Sequence, residues 1–226
     1  MPRHNPLDDL AFPRIGVGTD AWGGPYPPIP QEQATELIRA ALTPAPGFFD
    51  TAPLYAHGIS EIWLGEGLAG VPRSAYILET KTGYAEQETG GFRTDLSRDS
   101  LLRSVEASLE RLKVGQIDIL HLHDPDCCLN DALDIAFPAL ASLREQGLVR
   151  AIGAGMNQWQ MLAEFARNAD FDCFLLAGRY TLLEQESVSL LDLCEEKGIY
   201  LFLGGIFNTG VLATGAVPNA RYDYRP

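Results

Sequence analysis

The chain has 226 residues, of which 46% are hydrophobic and 21% charged, a composition ordinary for one globular domain with a large core. Its formal net charge is -13, and no lysine or arginine cluster is present to hold phosphate groups, so nucleic acids and anionic membranes are not expected as partners. No stretch reaches the roughly 18 consecutive apolar residues of a membrane span, and the first residues lack the apolar run of a secretory signal, so we expect a cytoplasmic protein.

Short apolar runs alternate with segments of helical periodicity from one end of the chain to the other. This alternation is typical of strand-helix units arranged around a parallel sheet. The predicted strands are Arg14–Gly18, Gly47–Asp50, Ala75–Thr80, Ile117–Leu122, Val149–Gly153, Asp172–Ala177 and Ile199–Gly204. The predicted helices span 31–43, 60–69, 97–113, 131–146, 158–168 and 184–197. No long linker separates these units, which favours a single domain over residues 1–226.

Two architectures fit this alternation, an open doubly wound sheet and a closed eight-stranded barrel. The open sheet needs a glycine-rich turn between its first strand and helix, and GVGTDA (Gly16 to Ala21) superficially matches G-x-G-x-x-A. The next residues, WGGPYPPIP, contain two glycines and two successive prolines, so they cannot open a helix under a pyrophosphate. The positions of the polar residues favour the barrel.

Reactive side chains follow three successive predicted strands. Asp50 ends the second strand, Tyr55 lies in the loop after it, Lys81 follows the third strand and His123 follows the fourth. The carboxyl ends of barrel strands meet on one face, so these four residues are expected in one pocket. The loop-like segment 85–97 also follows a strand and is expected on that face.

Each of these four residues alone is more often structural, as a capping acid, a half-buried tyrosine or a solvated lysine. Together they can carry out acid-base chemistry at an alcohol or a carbonyl. A tyrosine with a pKa of about 10 is a poor base near neutral pH unless a cation stabilises its phenolate, which Lys81 could do. Asp50 could keep Lys81 charged and oriented, and His123 could donate a hydrogen bond to the substrate oxygen.

The cysteines and histidines offer two further hypotheses. Four cysteines lie in or beside apolar segments without a CxxC spacing, so we expect reduced core thiols and no disulfide bond. His121 and His123, followed by Asp124 and Asp126, resemble a barrel metal site, which would suit a metal-dependent hydrolase. No later strand supplies a third imidazole, so no metal is expected, and His121 is interpreted as a core histidine one layer below His123.

The segments FDTAPLYAHGISEIWLG, TKTG and LHLHDP resemble the signature of the aldo-keto reductases, and the resemblance covers essentially the whole chain. Within that family, the chain is similar to the aldose 1-dehydrogenases in four segments, HDPD, MNQWQ, LLAGRYTLLEQ and GGIFNTGVL. This branch includes L-fucose, D-threo-aldose and pyridoxal dehydrogenases. The resemblance implies an α/β fold, the (β/α)8 TIM barrel, and NAD or NADP bound without a Rossmann turn. It implies Tyr55 as the acid/base, supported by Asp50, Lys81 and His123.

The resemblance also assigns binding roles by position. Asn157 would hold the nicotinamide carboxamide, Thr19 would lie near its ribose, and the loop from Gly205 to Gly210 would cover the pyrophosphate. Trp22, beside the pocket, could stack on a sugar face, and Tyr55 and His123 are the other expected substrate contacts. The implied cofactor-binding residues are Gly18, Thr19, Asp50, Asn157, Gly205, Phe207, Asn208 and Gly210.

Three positions depart from the family pattern. Ala56 follows the catalytic tyrosine where the family commonly has glycine. Gly204 stands where many members stack a tyrosine on the nicotinamide, so Phe207 would have to replace it. The sequence Ala177-Gly178-Arg179-Tyr180 lies where many members place a glutamine.

The implied function is oxidation of the anomeric carbon of a free aldose, such as L-fucose, D-arabinose or L-galactose, to the lactone. The alternatives are a general aldehyde or ketone reductase, a pyridoxal dehydrogenase, or a catalytically weak barrel fragment. With about seven strands and six helices, the chain is expected to lack the last strand and the last two helices of the barrel. Exposed barrel edges would then favour instability, self-association and weak activity.

Overall fold

In the computed structural model, the residues described are 4–22, 28–218, 220 and 222. They form a seven-stranded parallel sheet that curves into a nearly closed barrel, as the sequence predicted. The strands of this sheet are β1 (Val17–Gly18), β2 (Gly47–Asp50), β3 (Tyr76–Thr82), β6 (Ile117–His123), β7 (Val149–Met156), β8 (Cys173–Ala177) and β9 (Tyr200–Gly204). They pair in the order β1-β2-β3-β6-β7-β8-β9. Every pairing in this sheet is parallel, which places the strands' carboxyl ends on one face.

Helices follow the strands and cover the outside of the sheet. They are α1 (Gln31–Ala41), α2 (Ile59–Gly67), α3 (Arg98–Leu112), α4 (Leu129–Asp131), α5 (Phe137–Glu145), α6 (Trp159–Asn168), α7 (Val188–Lys197) and α8 (Val211–Thr214). A π-helical segment, Ala132–Ala136, joins α4 to α5. The largest apolar cluster lies between α3, α5, α6 and α7 and the strands that they cover. Among the described helices, none is long and apolar enough to cross a membrane. The cytoplasmic location stays a prediction.

The segment before β1 closes the amino-terminal end of the barrel. Leu7 is fully buried in an interior cluster with Phe48, Ile77 and Ile119, near the amino ends of their strands. The Asn5 amide donates hydrogen bonds to the carbonyl oxygens of Asp172 and Gly198, 2.7 Å and 2.9 Å away. This apolar closure leaves the opposite end of the barrel for polar side chains.

Several local predictions differ from the structure. The segment predicted as a loop over 85–97 contains most of an antiparallel hairpin formed by β4 (Tyr84–Glu86) and β5 (Phe92–Thr94). The prediction that all four cysteines are reduced core thiols is wrong for the pair Cys127 and Cys128, which form a disulfide bond. Cys127 is exposed in the loop after β6, whereas the free thiols of Cys173 and Cys194 are buried as expected.

Candidate active site

The four residues expected in one pocket meet at the carboxyl end of the barrel. Asp50 is the last residue of β2, Lys81 is the next-to-last residue of β3 and His123 is the last of β6. Tyr55 follows β2 in a short 3-10 turn, Tyr55–Gly58. Parallel pairing carries all four side chains to the same end, which is why residues distant in sequence converge.

Lys81 joins these residues through its ammonium group. Its Nζ forms an ion pair with Asp50 and donates hydrogen bonds to the Thr51 carbonyl oxygen at 2.9 Å and to the Tyr55 hydroxyl at 3.1 Å. The Lys81 side chain is 2% exposed. A buried ammonium with these acceptors is held in one position, so the Tyr55 hydroxyl has a fixed cationic neighbour.

Burial and neighbouring charges shift the pKa values of these groups in opposite directions. Burial raises the pKa of Tyr55 above its ordinary value, although the Lys81 ammonium lowers it. Burial alone would lower the pKa of Lys81, but the Asp50 carboxylate and Tyr55 raise it. Burial raises the pKa of Asp50 to about 7 against the attraction of Lys81. Lys81 is therefore charged, and Tyr55 keeps its proton in the resting site.

His123 is a neutral hydrogen-bonding group beside Tyr55. Its pKa is lowered well below the ordinary value by burial, then by the positive charge of Lys81. Its ring lies edge-on to the Tyr55 ring, with centroids 5.8 Å apart, and to Tyr84, with centroids 5.6 Å apart. A neutral imidazole can donate one hydrogen bond without adding charge.

The turn that carries Tyr55 has left-handed backbone. Ala56 and His57 have φ of 50° and 53°, a region in which residues with a Cβ are disfavoured. This explains why glycine suits the position of Ala56, and shows that alanine there keeps the turn. The His57 ring stacks near Phe92 of β5, with centroids 4.8 Å apart, and its Nδ1 lies 3.2 Å from Glu86 of β4. The hairpin β4–β5 is thus held against the turn that carries Tyr55.

The residues proposed to bind the cofactor lie at several strand ends. Gly18 pairs with Asp50, and an added Cβ on Gly18 would lie 3.7 Å from the Asp50 carboxylate. The buried Thr19 donates its hydroxyl hydrogen to Thr51 at 2.9 Å. Asn157 follows β7, is half-buried and donates to the Ala177 carbonyl oxygen at 2.9 Å. Gly18 and Thr19 therefore lie beside the ion pair, whereas Asn157 lies at the ends of β7 and β8.

The side chains of the loop after β9 differ in their exposure to solvent. Phe207 is 58% exposed, whereas Asn208 is fully buried. The Asn208 amide donates to the Tyr222 hydroxyl at 3.2 Å, so it contacts the chain's own residues. Gly205 and Gly210 have φ of 60° and 89°, which only glycine adopts without strain. The loop can present backbone N–H groups, and Phe207 can present a ring.

Trp22 occupies the core. It is 2% exposed and packs in an apolar cluster with Ala34 and Ile38 of α1, Phe49 of β2 and Leu64 of α2. A ring buried on this scale has little surface left for a sugar. The stacking role expected for Trp22 does not fit this burial.

Two cavities adjoin the strand ends. The larger has a volume of about 470 Å³ and lies beside the ends of β7 and β8. It is lined by Asn157, Gln158, Trp159, Gln160, Arg179, Glu184 and Glu186. The smaller has a volume of only about 10 Å³, and its lining includes Lys81, Tyr84 and His123. The larger cavity has the size of a small-molecule site, and three of its seven lining residues carry amide side chains.

Sequence reasoning missed two side chains of this region. Glu79 lies two residues before Lys81, is fully buried and faces the barrel interior. Tyr84 contacts the His123 ring from the hairpin. The acid in the apolar strand YILETKT was a signal for Glu79, because residues i and i+2 of a strand share one face. In the described parts of the chain, no group of three His, Cys, Asp or Glu side chains is arranged to hold a metal ion.

Comparison with known proteins identifies relatives of this arrangement. A family model for the aldo/keto reductase family matches residues 14–225. The chain is 34% identical over 237 residues to D-threo-aldose 1-dehydrogenase from Pseudomonas sp, covering 95% of this chain and 72% of that protein. It is 32% identical over 250 residues to pyridoxal 4-dehydrogenase from Microbacterium luteolum, covering 95% and 73%. The holo form of an aldo-keto reductase from Bacillus halodurans has a TM-score of 0.82 at 25% identity, covering 97% of this chain and 71% of that one.

Proposed function

The chain belongs to the aldo/keto reductase family, a family of NAD(P)-dependent oxidoreductases with the (β/α)8 fold, and on that premise we propose that it oxidises the anomeric carbon of a free aldose to the lactone. The Lys81 ammonium, in contact with both Asp50 and Tyr55, is the observation that carries this proposal. A relative named for an aldose 1-dehydrogenase activity supports the substrate class.

The bound nicotinamide supplies the hydride acceptor. Tyr55 holds the proton at the oxygen of the reacting carbon, and Lys81 stabilises the phenolate form of Tyr55 when that proton moves. Asp50 keeps Lys81 charged, and His123 donates a hydrogen bond to the substrate oxygen. We propose that the cofactor contacts Gly18, Thr19, Asp50, Asn157, Gly205, Phe207, Asn208 and Gly210.

One observation favours a second function, the reduction of an aldehyde or ketone. A tyrosine whose pKa is raised by burial holds its proton, which suits donation to a carbonyl oxygen. A pyridoxal dehydrogenase catalyses an oxidation of the same reaction class, and one relative of the chain carries that name.

Initial rates on a panel of substrates test the proposal. Purified protein is assayed with NAD+ and NADP+ on L-fucose, D-arabinose, L-galactose and pyridoxal, and with NADH and NADPH on methylglyoxal. Turnover of an aldose, absent in Tyr55→Phe, supports the proposed function. Turnover of methylglyoxal or pyridoxal without any aldose oxidation would favour the second function instead.

A further inference from the structure

A second buried acid lies directly behind the catalytic ion pair. Glu79 of β3 is fully buried and pairs in register with Asp50 of β2. Because paired residues of neighbouring strands project to the same face, the two side chains lie side by side in the barrel interior. On its other side, Glu79 Oε1 lies 2.9 Å from Nδ1 of His121, which is also fully buried.

The polar atoms of this contact lack partners while both carboxyls are ionised. Among the described residues, neither oxygen of Glu79 nor Nδ1 of His121 makes a hydrogen bond with favourable angles. Two carboxylates offer only acceptors to each other, whereas buried polar atoms in proteins are nearly always paired. One proton between Asp50 and Glu79 supplies the missing donor.

The charges around Glu79 determine which of the two acids, Asp50 or Glu79, carries that proton. The groups that face it are Asp50 of β2, Lys81 of β3 and His121 of β6, with Cys173 of β8 behind His121. The Lys81 ammonium contacts Asp50 directly and so favours the ionised form of Asp50. His121 cannot supply a second cation, because burial and the charge of Lys81 lower its pKa to about 3. One ammonium therefore balances one carboxylate, and Glu79 is the acid that stays neutral.

We propose that Glu79 is a positioning residue, a protonated acid that donates a hydrogen bond to Asp50 and couples the Asp50–Lys81 pair to His121. This inference rests on the proposed catalytic role of that pair. Glu79 Oε1 faces Nδ1 of His121, whose Nε2 lies 3.3 Å from the Cys173 sulfur. With Glu79 and His121 neutral, one carboxylate balances one ammonium and the cluster carries no net charge.

The fold leaves space for the His121 ring beside Glu79. An alanine Cβ at Gly153 of β7 would lie 2.6 Å from His121 Nε2, so only glycine lets the imidazole occupy its place. Strands β2, β3, β6, β7 and β8 therefore all contribute to the position of Asp50.

The test compares Glu79→Gln with Glu79→Leu. Glutamine keeps a neutral donor to Asp50 and an acceptor for His121, while leucine removes both. Glu79→Leu is expected to lower kcat by about 10-fold with KM little changed, since Asp50 loses one buried hydrogen bond. It should also move the acid limb of the kcat/KM profile to higher pH, because Asp50 then takes up a proton more readily. Glu79→Gln should restore both the rate and the profile.

Infrared spectroscopy gives a readout that does not depend on turnover. At pH 9, where Asp50 is ionised, the parent protein should show the carbonyl band of a protonated carboxylic acid, and both Glu79 variants should lose it. Glu86→Gln, at an exposed acid of the hairpin, is the matched control and should keep it. Circular dichroism and thermal melting identify a variant that fails to fold.

Two results would overturn the inference. An infrared band that persists in Glu79→Gln would place the proton elsewhere. A Glu79→Gln profile displaced to lower pH would mean that an ionised Glu79 had been neutralised. Failure of the proposed function is a separate outcome, since a parent protein inactive on every aldose can still show the band and lose it on substitution.

Discussion

The ammonium of Lys81 lies 3.1 Å from the hydroxyl of Tyr55 and is held there by the partly buried carboxylate of Asp50. One cation thus connects the acid at the end of β2 to the phenol in the following turn. Because its remaining hydrogen bond goes to the Thr51 carbonyl oxygen, Lys81 has little freedom to move away from Tyr55. This arrangement makes the state of the Tyr55 proton dependent on the charge of Lys81.

Replacing Tyr55 by phenylalanine should abolish most turnover. The change removes the titrating hydroxyl and leaves the ring, so we expect turnover to fall by about 100-fold or more. Binding of NAD(P)+, followed by tryptophan fluorescence, should be preserved. Near-full activity in Tyr55→Phe would show that another group performs the acid/base role.

The pH dependence of turnover should differ between the two directions. Because burial raises the pKa of Tyr55, the phenolate needed for oxidation is scarce at neutral pH and becomes more abundant as pH rises. Oxidation rates should therefore increase with pH, whereas carbonyl reduction should not. Lys81→Met removes the stabilising cation and should lower the oxidation rate further and move its rise to higher pH. An oxidation rate that is independent of pH would contradict this argument.

His121 should make the fold sensitive to acid. Its pKa is about 3 in the folded protein, lowered by burial and by the Lys81 charge, against an unfolded value near 6.5. Between these two values the unfolded chain binds more protons, so the free energy of unfolding falls as pH decreases through that window. The slope from this one group is about 1.4 kcal/mol per pH unit.

Urea unfolding of the parent and of His121→Gln, from pH 7 to pH 4, measures that contribution. The variant should lose less stability on acidification than the parent. His4→Gln is the control, since the His4 side chain is 73% exposed. Equal losses in all three proteins would show that His121 is protonated in the fold.

Two glycines of β7 should respond differently to alanine. A Cβ at Gly153 would enter the space of the Cys173 carbonyl oxygen and of the His121 ring, so Gly153→Ala should cost about 1–3 kcal/mol of stability or more. A Cβ at Gly155 would meet Leu175 at 3.5 Å and His121 at 3.7 Å, which are ordinary contacts. Gly155→Ala should therefore melt near or above the parent. Similar melting temperatures for the two variants would contradict the placement of His121.

The strand order and the convergence of the four polar residues could be predicted from the sequence, because strand ends in a parallel barrel share one face. Glu79 could not be assigned a role, since its contact with Asp50 depends on the register of two strands. The sequence predicts Trp22 at the pocket, but packing against α1 and α2 buries it. Flanking apolar residues predict a core position for Cys127 and Cys128, whereas Cys127 is exposed in the loop after β6.

The last prediction concerns the two ends of the strand order. Among the described residues, β1 and β9 each pair with one strand only, and apolar side chains lie exposed on and just after β9. They are Leu203, Ile206 and Phe207, which are 40%, 43% and 58% exposed. Unpaired edge strands with apolar neighbours favour association between chains, and a lysine on such an edge opposes it. The chain is therefore expected to self-associate with rising concentration, and Leu203→Lys should reduce that association in light scattering. Leu182→Lys, at a loop leucine that is 83% exposed, is the matched control and should behave like the parent. A parent chain that stays monomeric at all concentrations, or equal effects of the two lysines, would mean that β9 is not the site of association.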